Sequence, residues 1–167
     1  MDDSKIRVDR MRYSKNTQSS RLALLAIVLD VLFFVSIYKY VCRDTTRSDE
    51  FYYTALMGTS ILYNLVFMLA AFLSSEGVKN YKPTFSYVLF ALAAIQIVRI
   101  FIYPVSAHNY MITVDNEQKR LMSDFQFMRL IVYLVGSAAC MVASALINLA
   151  KGRALAAHTA SLETGKA

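Results

Sequence analysis

The sequence predicts an all-α integral membrane protein whose four transmembrane helices form an up-down bundle with both termini cytoplasmic. Of its 167 residues, 56% are hydrophobic, the mean hydropathy is +0.39, and there are only 5 Gly and 2 Pro. An average soluble domain is less apolar than this. Crossing about 30 Å of hydrocarbon takes roughly 20 helical residues, and four apolar windows reach that length, at about residues 22–41, 51–73, 84–105 and 127–150. We therefore treat residues 1–167 as a single membrane domain.

The first window begins with LALLAIVLDVLFFVSIY at residues 22–38 and has an acid, Asp30, near its middle. The apolar run is too long for the core of a signal peptide and has no small-residue cleavage site, so we expect a retained helix. Residues 1–20 are polar and basic without helical periodicity. They are expected to form a cytoplasmic tail at the lipid surface.

Short polar segments join the first three windows into two hairpins. In the segment RDTTRSDE, Ser48 is expected to cap the second helix, with Asp49 and Glu50 in its first turn. The segment SSEGVKNYKP places Gly77 after the second helix and Pro83 at the start of the third, which are the usual stop and start residues.

The loop before the fourth window is longer, and we interpret residues 104–126 as an external loop followed by the amphipathic start of a helix. Asp115 and Gln118 have capping-box spacing, which predicts a helix from near Asn116 to Lys151 that is about 54 Å long and extends on the outer side. The apolar side of that extension would lie on lipid headgroups, on another protein or on the chain's own loop. Residues 151–167 are expected to form a cytoplasmic tail.

Counting Lys and Arg near the ends of the windows predicts the orientation. One side has eleven: Lys5, Arg7, Arg10, Arg12, Lys15, Arg21, Lys79, Lys82, Lys151, Arg153 and Lys166. The other side has six: Lys39, Arg43, Arg47, Lys119, Arg120 and Arg129. The richer side should face the cytoplasm of a bacterial cell whose plasma membrane holds the protein. The net charge of +6 then indicates topology and contact with anionic lipids, and it does not require nucleic acid.

Each predicted helix has a thin stripe of polar or small residues inside the membrane. These candidate packing residues are Asp30, Ser60, Asn64, Gln96, Arg99, Gly136, Cys140, Ser144 and Asn148. Small residues let two helix backbones approach closely, so the stripes are typical of helix contacts.

Depth along the helices suggests how the stripes meet. Asp30 lies about 12 Å from the cytoplasmic boundary and Asn64 about 13 to 14 Å, so we expect Asn64 to bond Asp30, with Ser60 or a water nearby. Arg99 lies about 22 Å from that boundary. A salt bridge from Arg99 to Asp30 would span about 10 Å along the axis and ranks second. The first choice is that Arg99 snorkels toward the outer headgroups or toward Asp49, Glu50 or Asp124.

The buried acid suggests two roles. A charge at bilayer depth costs at least about 2.5 kcal/mol on insertion scales, so Asp30 is a functional candidate and could carry protons. Coupled transport usually needs several titratable groups and a broken helix, and the windows contain one central acid and no His. The pattern therefore favours a structural or partner-docking role for Asp30.

The sequence shows no group of residues suited to catalysis or to binding a cofactor or a metal. His108 and His158 stand apart from any nucleophile, and Cys42 and Cys140 are separated by about 20 Å along the helix axis. We expect a non-catalytic accessory or stabilising subunit of a larger membrane complex, most simply a transporter with a permease subunit. The alternative is an autonomous four-helix exporter, homo-oligomeric and coupled to protons or cations through Asp30.

Overall fold

A computed structural model describes residues 15–41, 50–109, 111–114, 117–120 and 122–164. Its elements are α1 (Thr17–Val41), α2 (Glu50–Lys79), α3 (Pro83–Ile102), α4 (Pro104–Asn109), β1 (Met111–Val114), β2 (Glu117–Arg120) and α5 (Asp124–Thr164). In the described ranges, four helices, α1, α2, α3 and α5, are long and apolar enough to cross a membrane. This confirms the four predicted spans, and the chain has the helices of a multi-pass membrane protein. The proposed cap at Ser48 and Asp49, and Cys42, lie outside the described residues.

The longest helix, α5, is the centre of the bundle. Both α1 and α3 pack along it, whereas α2 packs mainly on α1 and touches α5 little. Alanines contribute to the interface: Ala23 and Ala26 on α1 and Ala138 and Ala145 on α5 belong to one buried apolar cluster. Large apolar side chains point outward instead, among them Leu62 and Phe101, which are 63% and 68% exposed. Larger side chains such as Phe33, Leu89 and Met141 are also buried, but the alanines between α1 and α5 suit helices that associate within lipid.

The turn between α2 and α3 corrects the predicted role of Gly77. The α2 helix continues through Lys79, and its last turn is closed by bonds from Tyr81 N–H to the Val78 carbonyl and from Lys82 N–H to the Gly77 carbonyl. This is the Schellman pattern, and Tyr81 (φ 57°) occupies the left-handed position that glycine usually takes. Gly77 is needed for a different reason, because a Cβ atom there would overlap the Phe85 ring of α3. Pro83 starts α3 as predicted.

The helix that contains the fourth span begins at Asp124, later than the predicted start near Asn116, and residues 117–120 form a strand. The strand β2 pairs antiparallel with β1, with Met111 opposite Arg120. The helix start is set by a second capping box that the prediction passed over: Ser123 N–H donates to Gln126 Oε1, and Gln126 N–H donates to Ser123 Oγ. The residues of β1, MITV, include β-branched types that favour a strand.

The extension of this span is therefore on the opposite side from the one predicted. At 41 residues α5 is about 61 Å long, and it continues through the expected tail to Thr164. At its other end Met122, which the prediction placed on the apolar side of the helix extension, is completely buried in a cluster with Leu130 and Leu134. Phe125 remains exposed there.

Candidate functional site

A group of polar side chains lies halfway along the bundle, and we call it the central cluster: Asp30, Asn64, Gln96, Arg99 and Ser137. Its core is an ion pair in which Arg99 Nη1 donates to Asp30 Oδ1 over 2.6 Å. Gln96 Nε2 donates to the same carboxylate oxygen over 2.8 Å, and Gln96 Oε1 accepts from Arg99 Nη1. Both charged residues are buried. One α3 helix thus supplies two donors to the acid of α1.

The expected bond between Asn64 and Asp30 is replaced by a bond between Asn64 and Arg99. Arg99 Nη2 donates to Asn64 Oδ1 over 2.8 Å, and Asn64 Nδ2 donates to the Ser60 carbonyl over 2.6 Å. Ser60 therefore acts through its backbone. The cluster ties α1, α2 and α3 together through one guanidinium group.

The salt bridge between Asp30 and Arg99, which the predicted depths ranked second, is the one that forms. The predicted depth of Asp30 was measured from the start of the apolar window, but α1 begins before that window. The α1 helix begins at Thr17, five residues before the apolar window. Asp30 is then about 20 Å into α1 and Arg99 about 24 Å into α3 at 1.5 Å per residue. An arginine side chain easily covers the remaining difference of about 4 Å.

Three aromatic rings enclose the Arg99 guanidinium. Its central carbon lies 4.8 Å from the Phe33 ring centroid, 4.9 Å from that of Tyr63 and 5.8 Å from that of Phe67. A cation over a ring face is attracted by the ring quadrupole, more strongly when it is desolvated. Sequence reasoning missed these rings, although Phe33 is one helical turn from Asp30 and Phe67 is one turn from Asn64, on the same faces.

Ser137 is the one member of the central cluster that is not among the predicted packing residues. Its hydroxyl accepts from Gln96 Nε2 over 3.3 Å and donates to the Ala26 carbonyl over 2.9 Å. It therefore joins α5 to α1 and α3. Its neighbours in the predicted stripe, Gly136 and Cys140, are half-buried, and Gly136 packs against Leu29 of α1.

The central cluster is not saturated with hydrogen bonds. Within the described part of the chain, Asp30 Oδ2, Arg99 Nε and the Tyr63 hydroxyl are buried and have no hydrogen-bond partner. Chemically, the arrangement holds an arginine and an acid together as a pair and leaves one carboxylate oxygen available as an acceptor.

A second polar group, which we call the end cluster, lies where α1 and α3 begin: Asn16, Ser19, Ser86, Ser144 and Asn148. The Ser19 and Ser144 hydroxyls are 2.8 Å apart, and each donates to the other's backbone carbonyl. Asn148 accepts from Asn16 Nδ2 and donates to Ser86 Oγ and the Lys82 carbonyl. The predicted stripe residues Ser144 and Asn148 thus bind α5 to α1 and α3 without any charge.

His108 has close polar and aromatic neighbours, which its position in the sequence did not indicate. Its Nε2 lies 2.8 Å from Asp124 Oδ1, and its ring stacks on Phe127 with centroids 4.3 Å apart. Arg120 of β2 also reaches Asp124, over 3.2 Å. These contacts attach the β-hairpin and α4 to the start of α5.

The outer surface of the bundle has an apolar groove between α3 and α5 with a volume of about 480 Å³. It is lined by Phe90, Ala93, Ala94, Ile97, Val135, Ala138, Ala139 and Val142. Four of the eight are alanines. Because alanine side chains are short, the groove lies close to the backbones of α3 and α5.

Among the residues that the structure describes, no three His, Cys, Asp or Glu side chains come together as metal ligands would. A scan against protein-family models finds no match, and searches of the curated proteins and of the solved structures return no similar chain.

Proposed function

We propose that the chain is a non-catalytic accessory or stabilising subunit of a larger membrane complex, in particular a transporter. The observation that carries the proposal is the groove between α3 and α5, which faces outward and has a floor of alanines. Small residues at a helix surface allow a transmembrane helix to approach and gain van der Waals contact. The occupant we propose is one transmembrane helix of a permease subunit.

The central cluster supports this assignment by accounting for Asp30 within the chain. Arg99 and Gln96 both donate to Asp30, which is fully buried. The acid therefore needs no partner subunit to balance it. Partner contact is left to the apolar outer faces, among which the groove is lined by four alanines.

Co-purification in mild detergent tests the proposal. Leucine at Ala94 or Ala139, two exposed alanines of the groove, should fill it and lower recovery of the partner at least tenfold. Ala91→Leu is the matched control, because Ala91 is exposed on the same helix but does not line the groove. The thermal unfolding of each variant shows whether the bundle itself is intact.

Two results would sink the accessory role. One is a wild-type protein that purifies only as itself from its native membrane. The other is a partner that is recovered equally well with Ala94→Leu, Ala139→Leu and Ala91→Leu, since the groove would then have no part in assembly.

The second candidate is an autonomous, homo-oligomeric exporter coupled to protons or cations through Asp30. One observation favours it: Asp30 Oδ2 has no hydrogen-bond partner among the described residues, and a free carboxylate oxygen can accept a proton. Proteoliposomes with purified protein distinguish the candidates. Proton-coupled flux that disappears in Asp30→Asn, in a variant that stays folded, would replace the accessory role with this one.

We also propose that both termini face the cytoplasm and that the membrane is the bacterial plasma membrane. The support is the basic residues of the described chain at the end of the bundle where α1 begins, such as Lys15, Lys82 and Arg153. In a variant with both native cysteines replaced by serine, Lys15→Cys should be protected from an impermeant thiol reagent in whole cells and labelled in inverted membranes. Labelling in whole cells would reverse the topology.

A further inference from the structure

Lysine and arginine cations are concentrated at one end of the bundle. Within residues 15–21, 76–82 and 148–153 there are six of them, Lys15, Arg21, Lys79, Lys82, Lys151 and Arg153, and one acid, Glu76. We call these six residues the basic collar. Three contacts bring the segments together: Asn16 N–H to the Lys79 carbonyl, Asn148 Nδ2 to the Lys82 carbonyl, and Lys151 Nζ to Gln18 Oε1.

Among the residues that the structure describes, most cations of the collar have no carboxylate beside them. Lys79 binds Glu76 over 3.0 Å, which neutralises the acid. Lys15, Arg21, Lys82 and Arg153 are exposed and have no carboxylate partner among the described residues. At the other end of the bundle, Arg120 is bound to Asp124, and Arg129 is an exposed cation of α5.

The collar borders the apolar outer surface of the bundle on every spanning helix. On α1, Arg21 is followed by exposed Leu24 and Leu25; on α3, Lys82 is followed by Tyr87, which is 65% exposed. On α5, exposed Leu146 precedes Lys151 and Arg153. A ligand at the collar therefore meets cations at one end and apolar side chains directly beside them.

We propose that the basic collar is a binding surface for anionic phospholipids. A phospholipid matches both halves of the surface, because its phosphate meets Lys82 and Arg153 while its acyl chains lie on the adjoining apolar residues. Clusters of Lys and Arg beside a membrane span attract anionic headgroups, and each added cation contributes to the attraction. An acidic protein segment would match the charge but not the apolar border. The proposal is independent of the accessory role and needs no assumption about which side of the membrane the collar faces.

The absence of tryptophan from the chain makes a direct test convenient. A single Trp is introduced at Tyr87 beside the collar or, for comparison, at Phe101 near the other end of the same helix, where it is 68% exposed. Each protein is reconstituted in phosphatidylcholine vesicles. Quenching by phosphatidylglycerol brominated near the headgroup is then compared with quenching by phosphatidylcholine brominated at the same positions.

We expect Tyr87→Trp to be quenched preferentially by the brominated phosphatidylglycerol at low salt, and Phe101→Trp to show little preference. Adding Lys82→Gln and Arg153→Gln should lower the preference by up to about fivefold per cation. High salt should lower it too, since exposed charges are screened. Arg129→Gln, which removes an exposed cation of α5 outside the collar, is the matched control and should change nothing.

Equal quenching by the two lipids at Tyr87→Trp would overturn the proposal and would leave the collar to a protein partner. The proposal would also fail if Arg129→Gln lowered the preference for brominated phosphatidylglycerol as much as Lys82→Gln and Arg153→Gln do. In that case the response would follow net charge and not the collar.

Discussion

The central cluster and the end cluster solve the same problem in two ways. Both place polar side chains between closely packed helices, but the central cluster is built on the buried ion pair of Asp30 and Arg99, whereas the end cluster consists of serines and asparagines. Groups in both clusters have more than one hydrogen-bond partner, but among the described residues Asp30 has a single counter-charge, Arg99, whereas Ser19 bonds both the hydroxyl and the carbonyl of Ser144. The difference teaches that a buried charge depends on one particular partner, while a neutral network can lose a member and remain bonded.

Breaking the ion pair should have the largest effect. Arg99→Met leaves Asp30 buried without its counter-charge, which costs about 3 to 5 kcal/mol in buried pairs generally. Unfolding in mixed detergent micelles should show the loss as a lower midpoint. The double variant Asp30→Asn/Arg99→Met removes both charges and should recover more than half of it. If Arg99→Met stays within about 1 kcal/mol of the wild type, the pair is not the stabilising element.

Packing at the end of α2 should come next. Gly77→Ala places a Cβ atom against the Phe85 ring, and overpacking of this kind costs about 1 to 3 kcal/mol. Gly58→Ala is the control, because a Cβ atom there meets nothing within 4 Å. It should be neutral or stabilise the helix by up to about 1 kcal/mol. Equal unfolding midpoints for the two variants would show that α2 and α3 do not approach as closely at Gly77 as the structure has them.

The end cluster should tolerate the loss of one hydroxyl. After Ser144→Ala, Ser19 Oγ still donates to the backbone carbonyl of residue 144, at 2.6 Å in the wild type. Interhelical hydrogen bonds in membrane proteins average about 0.6 kcal/mol, so the unfolding free energy should fall by about that much. A loss as large as that of Arg99→Met would remove the distinction between the two clusters.

The smallest effect tests an ion pair in the opposite setting. Lys79 and Glu76 are bonded over 3.0 Å, nearly as close as Asp30 and Arg99, but both side chains are partly exposed. Exposed helical pairs contribute about 0.3 to 0.5 kcal/mol because water screens them. Lys79→Gln should therefore leave the unfolding midpoint almost unchanged, and raising the salt concentration should remove what difference remains.

The sequence indicates most residues of the central cluster but not the hydrogen bonds that join them. Asp30, Asn64, Gln96 and Arg99 stand out because polar side chains are rare in apolar windows. Their pairing was mispredicted because Thr17 to Arg21 are polar yet helical, so an apolar window understates how far the helix has already run. The enclosing rings, such as Phe33, were missed because an aromatic residue in an apolar run has no sequence signal that separates packing on a cation from packing on lipid.

The segment between α3 and α5 shows a different limit. Asp115 with Gln118 and Ser123 with Gln126 both have capping-box spacing, and local pattern alone does not rank them. The pairing of β1 with β2, the contact of Arg120 with Asp124 and the burial of Met122 favour the later start. The pairing and the burial both depend on residues outside the predicted helix, which are Met111–Val114 for the pairing and Phe33 and Ile37 for Met122.

By itself, the sequence determined that this chain has four membrane-length helices and which polar residues lie inside them, because apolar length and composition act locally along the chain. Only the tertiary structure decided that Arg99 balances the charge of Asp30 and that the helix of the fourth span extends beyond Lys151. It also decided that the missing side chain at Gly77 leaves room for the Phe85 ring. Those outcomes depend on where each helix begins and on which side chains reach across to its neighbours, and such distances arise only when the helices pack.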